Sequence, residues 1–176
     1  MTFDPLQVLS RLQAHGVRFV VIGGYAAQLR GSELPTVDVD VLPERSTENL
    51  TRLARALVSL HAKLRVDGVD GGLPFGSDAA SLSGLRFLNL TTPWGDVDLT
   101  FEPAGVDGYD HWAGNAAPMD LGNGLNVLVA DLTDIIRSKE AAGRVKDIRA
   151  LPALWALRER GQNRPPVGEG GTRPRV

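Results

Sequence analysis

The sequence predicts an α/β (α+β) fold: a short mixed β-sheet with flanking helices, and further helices at the C-terminal end. Three observations carry this. The apolar run at 18–22 ends at Gly23-Gly24 and passes into a short helical pattern, which reads as a central strand turning into a helix. Residues 37–42 and 96–101 alternate apolar with acidic or polar side chains, the period of a strand. Residues 46–60 place Leu50, Leu53, Ala54, Leu57 and Leu60 on one face of a helix.

In chain order, Leu6, Val8, Leu9 and Leu12 mark an opening helix over 5–15, ended by Gly16. The central strand at 18–22 follows, then the short helix over 25–30, stopped by Gly31-Ser32. A strand carrying Asp38 and Asp40 breaks at Pro43, and Ser46 or Thr47 starts the longer helix. Residues 62–66 read as another strand and 67–77, Gly-rich and polar, as a loop. The runs 85–91 and 96–101, joined by Thr92-Pro93-Trp94-Gly95, form a β-hairpin. Residues 103–120 read as irregular, with one helical turn near 109–112. A strand over 125–129 precedes Asp131, an N-cap for a helix running through Lys139, and a second helix follows Gly143 to about residue 160. The expected division is a core over 1–130, C-terminal helices over 131–160 packed on it, and a disordered tail over 161–176. That tail is Gly, Pro and Arg with little to bury.

Composition narrows the class without choosing it. A chain of 176 residues, 43% hydrophobic and 23% charged, is long enough for one real core. The net charge of −2 advertises no global field for nucleic acid. The absence of cysteine excludes disulfides, thiolate zinc sites and cysteine nucleophiles. With no apolar run of membrane-spanning length and no signal-like start, a cytoplasmic location without membrane contact is expected.

The chemistry gathers on three short segments, Gly23-Gly24, Asp38 to Asp40 and the run around Asp98. Asp38 and Asp40 stand at i and i+2 of a strand, so both carboxylates project from one face. Asp98, on the alternate face from Val97 and Leu99, is the natural third member. Three carboxylates from neighbouring strands can hold two Mg²⁺ ions about 3.5–4 Å apart for in-line phosphoryl or nucleotidyl transfer. Gly23-Gly24, opening a helix just before them, offers converging backbone N–H groups to phosphate. Taken singly, each motif has a plainer reading: a solvated sheet face for the acids, a tight turn with positive φ for the glycines. Together they describe a site for a metal-bound nucleoside triphosphate.

The residues also match a known pattern. The run GGYAAQLRG at 23–31, Thr36-Val37-Asp38-Val39-Asp40, GDVDL around Asp98 and SKEAAGRVKDIRAL at 138–151 resemble the nucleotidyltransferases of the DNA polymerase β superfamily. The resemblance is nearest to the AbiEii and MenT-type group of bacterial toxin–antitoxin pairs, and spans about 8–157. It implies a minimal nucleotidyltransferase core. It implies that Gly23 and Gly24 hold the triphosphate, that Asp38 and Asp40 ligate both metals, and that Asp98 completes the catalytic one. Lys139 would reach the nucleotide phosphates and Asp147 would orient it or join the active-site network; unaided by the resemblance, these read as a solvated lysine and a surface pair with Arg144 or Lys146. Thr36 and Ser32 are the candidate hydroxyls beside the nucleotide, Ser32 because Gly24 stands where many relatives carry serine. One departure is Leu34, where relatives usually have arginine; acceptor binding is the function most open to change.

The expected function is therefore a Mg²⁺-dependent nucleotidyltransferase using a nucleoside triphosphate. The resemblance points to an RNA acceptor, in particular the 3′ end of tRNA, and to the toxin of a toxin–antitoxin pair with a cognate antitoxin protein. Arg144, Lys146, Arg149, Arg158, Arg160, Arg164, Arg173 and Arg175 are the candidate RNA surface. The first alternative keeps the chemistry and changes the acceptor to an aminoglycoside-like antibiotic or a protein side chain. Asp67, Asp70, Asp78, Asp107 and Asp110 would then line an acidic pocket. The second alternative is a non-catalytic, antitoxin-like binding module of the same fold.

Overall fold

The computed structural model describes residues 3–162, in the order α1 (Pro5–Ala14), β1 (Phe19–Ile22), α2 (Gly23–Leu29), β2 (Asp38–Pro43), α3 (Thr47–Ser59), β3 (Lys63–Leu64), α4 (Ala79–Ser83), β4 (Phe87–Thr92), β5 (Gly95–Thr100), α5 (Tyr109–Asn115), β6 (Ala117–Asp120), β7 (Asn126–Val129), α6 (Leu132–Ala142) and α7 (Val145–Gln162). The seven strands form one mixed sheet in the order β3-β4-β5-β2-β1-β7-β6. β1 runs antiparallel to β2 and parallel to β7, and β2 runs parallel to β5. The mixed α/β architecture is the one the sequence predicts.

β1 lies inside the sheet between β2 and β7, and all four of its residues are buried. That is why the run at 18–22 shows no alternation: a strand covered on both faces has no side to expose. β2 and β5 alternate instead. Val39, Val41, Val97 and Leu99 are buried in the core, while the intervening positions face the other way. α3 is set down by Ser46, whose side chain accepts from Asn49 N at 3.2 Å, and Leu50, Leu53 and Leu57 bury its apolar stripe. Asn49 is the buried exception on that helix. Its amide accepts from Arg18 N at 2.7 Å and donates to Arg18 O at 2.9 Å and Glu44 O at 2.8 Å, joining α3 to the start of β1 and the end of β2.

The hairpin turns on Pro93 and Trp94, with Thr92 in register with Gly95. Thr92 Oγ1 donates to Gly95 O at 2.7 Å and accepts from Trp94 N at 3.1 Å. Trp94 takes the Arg11 guanidinium on its ring face at 3.7 Å. Further along, Asp131 caps α6 through Thr133 N at 2.8 Å, and Gly143, at φ 60°, ends it and lets α7 begin.

Two expectations need correction, and one helix lies where none was expected. The strand at 62–66 is only two residues long, and the stretch 103–120 is irregular mainly over 103–108, the helical turn expected near 109–112 being longer. The rest of that stretch holds α5 and the edge strand β6, in which Pro118 is tolerated because β7 is its one neighbour. α4, a five-residue helix capped by Asp78, anchors Leu82 in the core from within a polar stretch. The expected tail, with Arg164, Arg173 and Arg175, lies outside the described residues from 163 onward.

Candidate active site

The parallel pairing of β2 with β5 sets Asp38 beside Asp96 and Asp40 beside Asp98. Side chains in register on parallel strands share a face, so four carboxylates form a two-by-two group. Asp38, Asp40 and Asp98 open on a cleft of about 840 Å³ between the sheet, α2 and the C-terminal helices. Gly23, Gly24, Ser32 and Thr36 reach this cleft from one side, and Lys139 and Asp147 from the other. The residues expected to hold metal and nucleotide therefore line one cleft, whereas Arg149, Arg158 and Arg160 of the expected RNA surface do not line it.

Local structure explains the spacing. Gly23, at φ 66°, begins α2, and a Cβ on it would overlap the Asp40 carboxylate. A Cβ on Gly24 would lie 2.8 Å from Thr36 Oγ1. Both glycines let the helix start come down onto the acidic strand. Thr36 lies before β2, and its hydroxyl donates to Asp38 Oδ1 at 2.9 Å. Ser32 Oγ accepts from Leu34 N at 3.3 Å, closing the loop that carries Leu34. Arg30 anchors the far end of α2 by donating to Val129 O and Ala130 O at 2.8 and 2.9 Å.

Asp147 has no exposed surface. Its oxygens take Lys139 Nζ at 2.9 Å and Arg144 Nε at 2.6 Å. The pair with Arg144 read from the sequence is present, with its carboxylate buried and its guanidinium largely exposed. Burial pushes the Asp147 carboxyl up, yet the hydrogen bonds and charges of Lys139 and Arg144 together hold it below the usual carboxylate range.

The acidic face is short of positive charge. Burial, then the charges of Asp38 and Asp98, push Asp40 up to about 7, against the pull of Lys139 and Lys146. Burial raises Asp98 as well, although Arg65 opposes it. Arg65 is the residue that sequence reasoning missed. Its guanidinium bridges Asp96 and Asp98, and Asn89 and Arg86 complete that side of the cleft. Its only local signal was a basic residue at an alternate position of the strand expected at 62–66. Asp96 was legible, since it shares the Asp98 face.

No protein-family model matches the chain, and no curated protein matches it. Solved structures do. TM1012 of Thermotoga maritima, provisionally classed as a nucleotidyltransferase, superposes with a TM-score of 0.53 at 16% identity over 91% of each chain. The antibiotic-resistance factor ANT(2'')-Ia in solution gives 0.50 at 16% identity, over 91% of this chain and 93% of that one. The same factor in complex with adenylyl-2''-tobramycin gives 0.52 at 15% identity, over 88% and 94%. The chain has a nucleotidyltransferase fold. At such identities the likeness speaks for the fold, and it does not single out the AbiEii and MenT-type group.

Proposed function

We propose that this chain is a Mg²⁺-dependent nucleotidyltransferase that moves a nucleoside monophosphate from a triphosphate to an acceptor hydroxyl. One observation carries the reading: a glycine-led helix start, paired carboxylates on adjacent strands and the buried Lys139–Asp147 pair share one cleft in a nucleotidyltransferase fold. The donor set fits a hard divalent cation. Asp38, Asp40 and Asp98 offer only oxygen, on one sheet face, and around Asp40 burial and the charges of Asp38 and Asp98 outweigh those of Lys139 and Lys146. Among the described residues no three acidic or histidine side chains are drawn into a ready-made ligand cluster; Thr36 engages Asp38 and Arg65 engages Asp98.

Mg²⁺ held by these three aspartates would neutralise triphosphate charge and lower the pKa of the acceptor hydroxyl. The chain's own residues do the rest by positioning. Gly23 and Gly24 present backbone N–H groups to the triphosphate, and Ser32 and Thr36 add hydroxyls. Lys139 offers its ammonium to the phosphates, with Asp147 holding it in place. Asp98 helps to activate the acceptor hydroxyl, which attacks the α-phosphorus in line; the α–β bond breaks and pyrophosphate leaves.

An RNA 3′ end, that of tRNA in particular, is the acceptor this reading favours, and with it a toxin role alongside a cognate antitoxin. Support comes from charge. Arg65, Arg86, Lys139, Arg144 and Lys146 line the cleft beside its carboxylates Asp38, Asp40, Asp98, Glu102 and Asp147, so an anionic acceptor that enters it meets cations as well as the acidic face. None of the five aspartates expected to receive a cationic antibiotic lines it, and Asp107 and Asp110 open on a separate cavity with Glu44 and Arg45. The likeness to ANT(2'')-Ia favours the second reading, an aminoglycoside-like acceptor. Incubation of the protein with α-labelled triphosphates, Mg²⁺, and either total RNA or an aminoglycoside panel separates them. Label in a tRNA-sized band supports the first; label on an antibiotic, with cells protected on expression, supports the second.

A further inference from the structure

The acidic face carries one cation of its own. Arg65 follows β3, and its backbone N–H donates to Asn89 O at 3.0 Å, which ties it to the edge of β4. From there its side chain crosses to β5. Nη1 lies 2.9 Å from Asp96 Oδ2, while Nη2 lies 2.7 and 3.0 Å from the two oxygens of Asp98. A planar guanidinium suits two carboxylates presented side by side, and the i, i+2 spacing on one strand presents them so. The three side chains are 30%, 28% and 17% exposed, so this is not a loosely solvated surface bridge. Both oxygens of Asp98 are thus engaged, and they are the atoms a divalent ion at this carboxylate would need.

We propose that Arg65 is a metal-displaceable lock on Asp98. Its guanidinium holds both oxygens of the third carboxylate of the site and has to withdraw when a divalent cation binds there. The inference rests on the metal-site reading given under Proposed function. Two positive groups compete for the same lone pairs and repel each other, so Arg65 raises the concentration at which the metal loads. Asp96 makes the lock bidentate: it holds Nη1 from outside the set of three aspartates, so the guanidinium stays poised next to Asp98. Once withdrawn, the fork is an arginine free in the cleft, with the geometry to meet phosphate oxygens. Metal loading and exposure of that arginine then become one event.

The test uses Mn²⁺ as the probe, with free Mn²⁺ measured by electron paramagnetic resonance against the full chain, Arg65→Gln, Arg65→Lys and Asp38→Ala. Arg65→Gln is expected to bind about tenfold tighter, the effect of removing a unit charge about 6 Å from a divalent ion in a water-like dielectric. Arg65→Lys, which keeps the charge, stays near wild type, and Asp38→Ala loses binding. In the wild-type chain the Arg65 Nε–H resonance, identified by its loss in Arg65→Lys, moves on Mg²⁺ addition; this reading does not depend on Arg65→Gln folding. Equal or weaker Mn²⁺ affinity in Arg65→Gln, or a resonance unmoved at saturating Mg²⁺, overturns the lock while leaving the metal site standing. Wild-type binding no better than that of Asp38→Ala removes the metal site, and the lock with it.

Discussion

Replacing Asp147 with asparagine keeps the shape of a fully buried side chain and deletes its charge. The carboxylate now receives Lys139 at 2.9 Å and Arg144 at 2.6 Å. Charge-assisted hydrogen bonds contribute about 1.5–3 kcal/mol each, and breaking a buried pair costs about 3–5 kcal/mol because the partner stays buried and uncompensated. Arg144, with a side chain 63% exposed, can turn to water; Lys139, at 18%, cannot do so freely. The loss should therefore come mainly from Lys139 and total about 3 kcal/mol, lowering the melting temperature by roughly 6–12 °C for a chain of this size. The pH dependence has a definite sign. A carboxyl held below its unfolded value contributes stability that is complete above about pH 4 and is lost as pH falls through the native value. Urea unfolding followed by circular dichroism should give a constant gap between wild type and Asp147→Asn from about pH 5 to 8, shrinking below about pH 4. A gap under about 1 kcal/mol at neutral pH, or one that persists unchanged at about pH 2.5, would refute the reasoning.

Three further outcomes are expected. Gly23→Ala must adopt a left-handed conformation costing about 1–2 kcal/mol and push the Asp40 carboxylate aside, so both the melting temperature and Mn²⁺ binding should fall; unchanged binding would mean that the helix start does not set Asp40. Asn49→Ala strands Arg18 N, Arg18 O and Glu44 O and should cost about 2–4 kcal/mol in thermal unfolding; a loss below about 1 kcal/mol would show that water reaches those groups. Asp40→Asn should reduce nucleotidyl transfer by more than about 1000-fold while the metal-free melting temperature holds level or rises, because burial and two neighbouring aspartates already oppose that charge. A sharp drop in melting temperature would contradict the electrostatic account.

What could be read from the sequence was whatever local pattern encodes. Alternation around Asp38, Asp40 and Asp98 gave the shared face, because side chains on a strand have a period of two and Val39, Val41, Val97 and Leu99 need burial. Ser46, Asp131 and Gly143 marked helix ends through short-range hydrogen bonds and a left-handed turn. The register of β2 against β5, which brings Asp38 beside Asp96 and Asp40 beside Asp98, is a long-range pairing that no local pattern states. Arg65 escaped for the same reason: its meaning lies 31 and 33 residues away, on β5. Nothing local marks Asn49, because its partners are backbone groups of two strands. β6 was hidden by Pro118, which the edge of a sheet accepts and the middle would not.

The central claim is that this cleft breaks the α–β bond of a nucleoside triphosphate. It is tested most directly by parallel incubations with α-labelled and γ-labelled triphosphates, Mg²⁺ and total RNA, beside an Asp38→Ala/Asp40→Ala control. The account predicts α-label in RNA and γ-label in free pyrophosphate, both absent with the control. γ-Label passing to an acceptor, or equal transfer by the control, would contradict it.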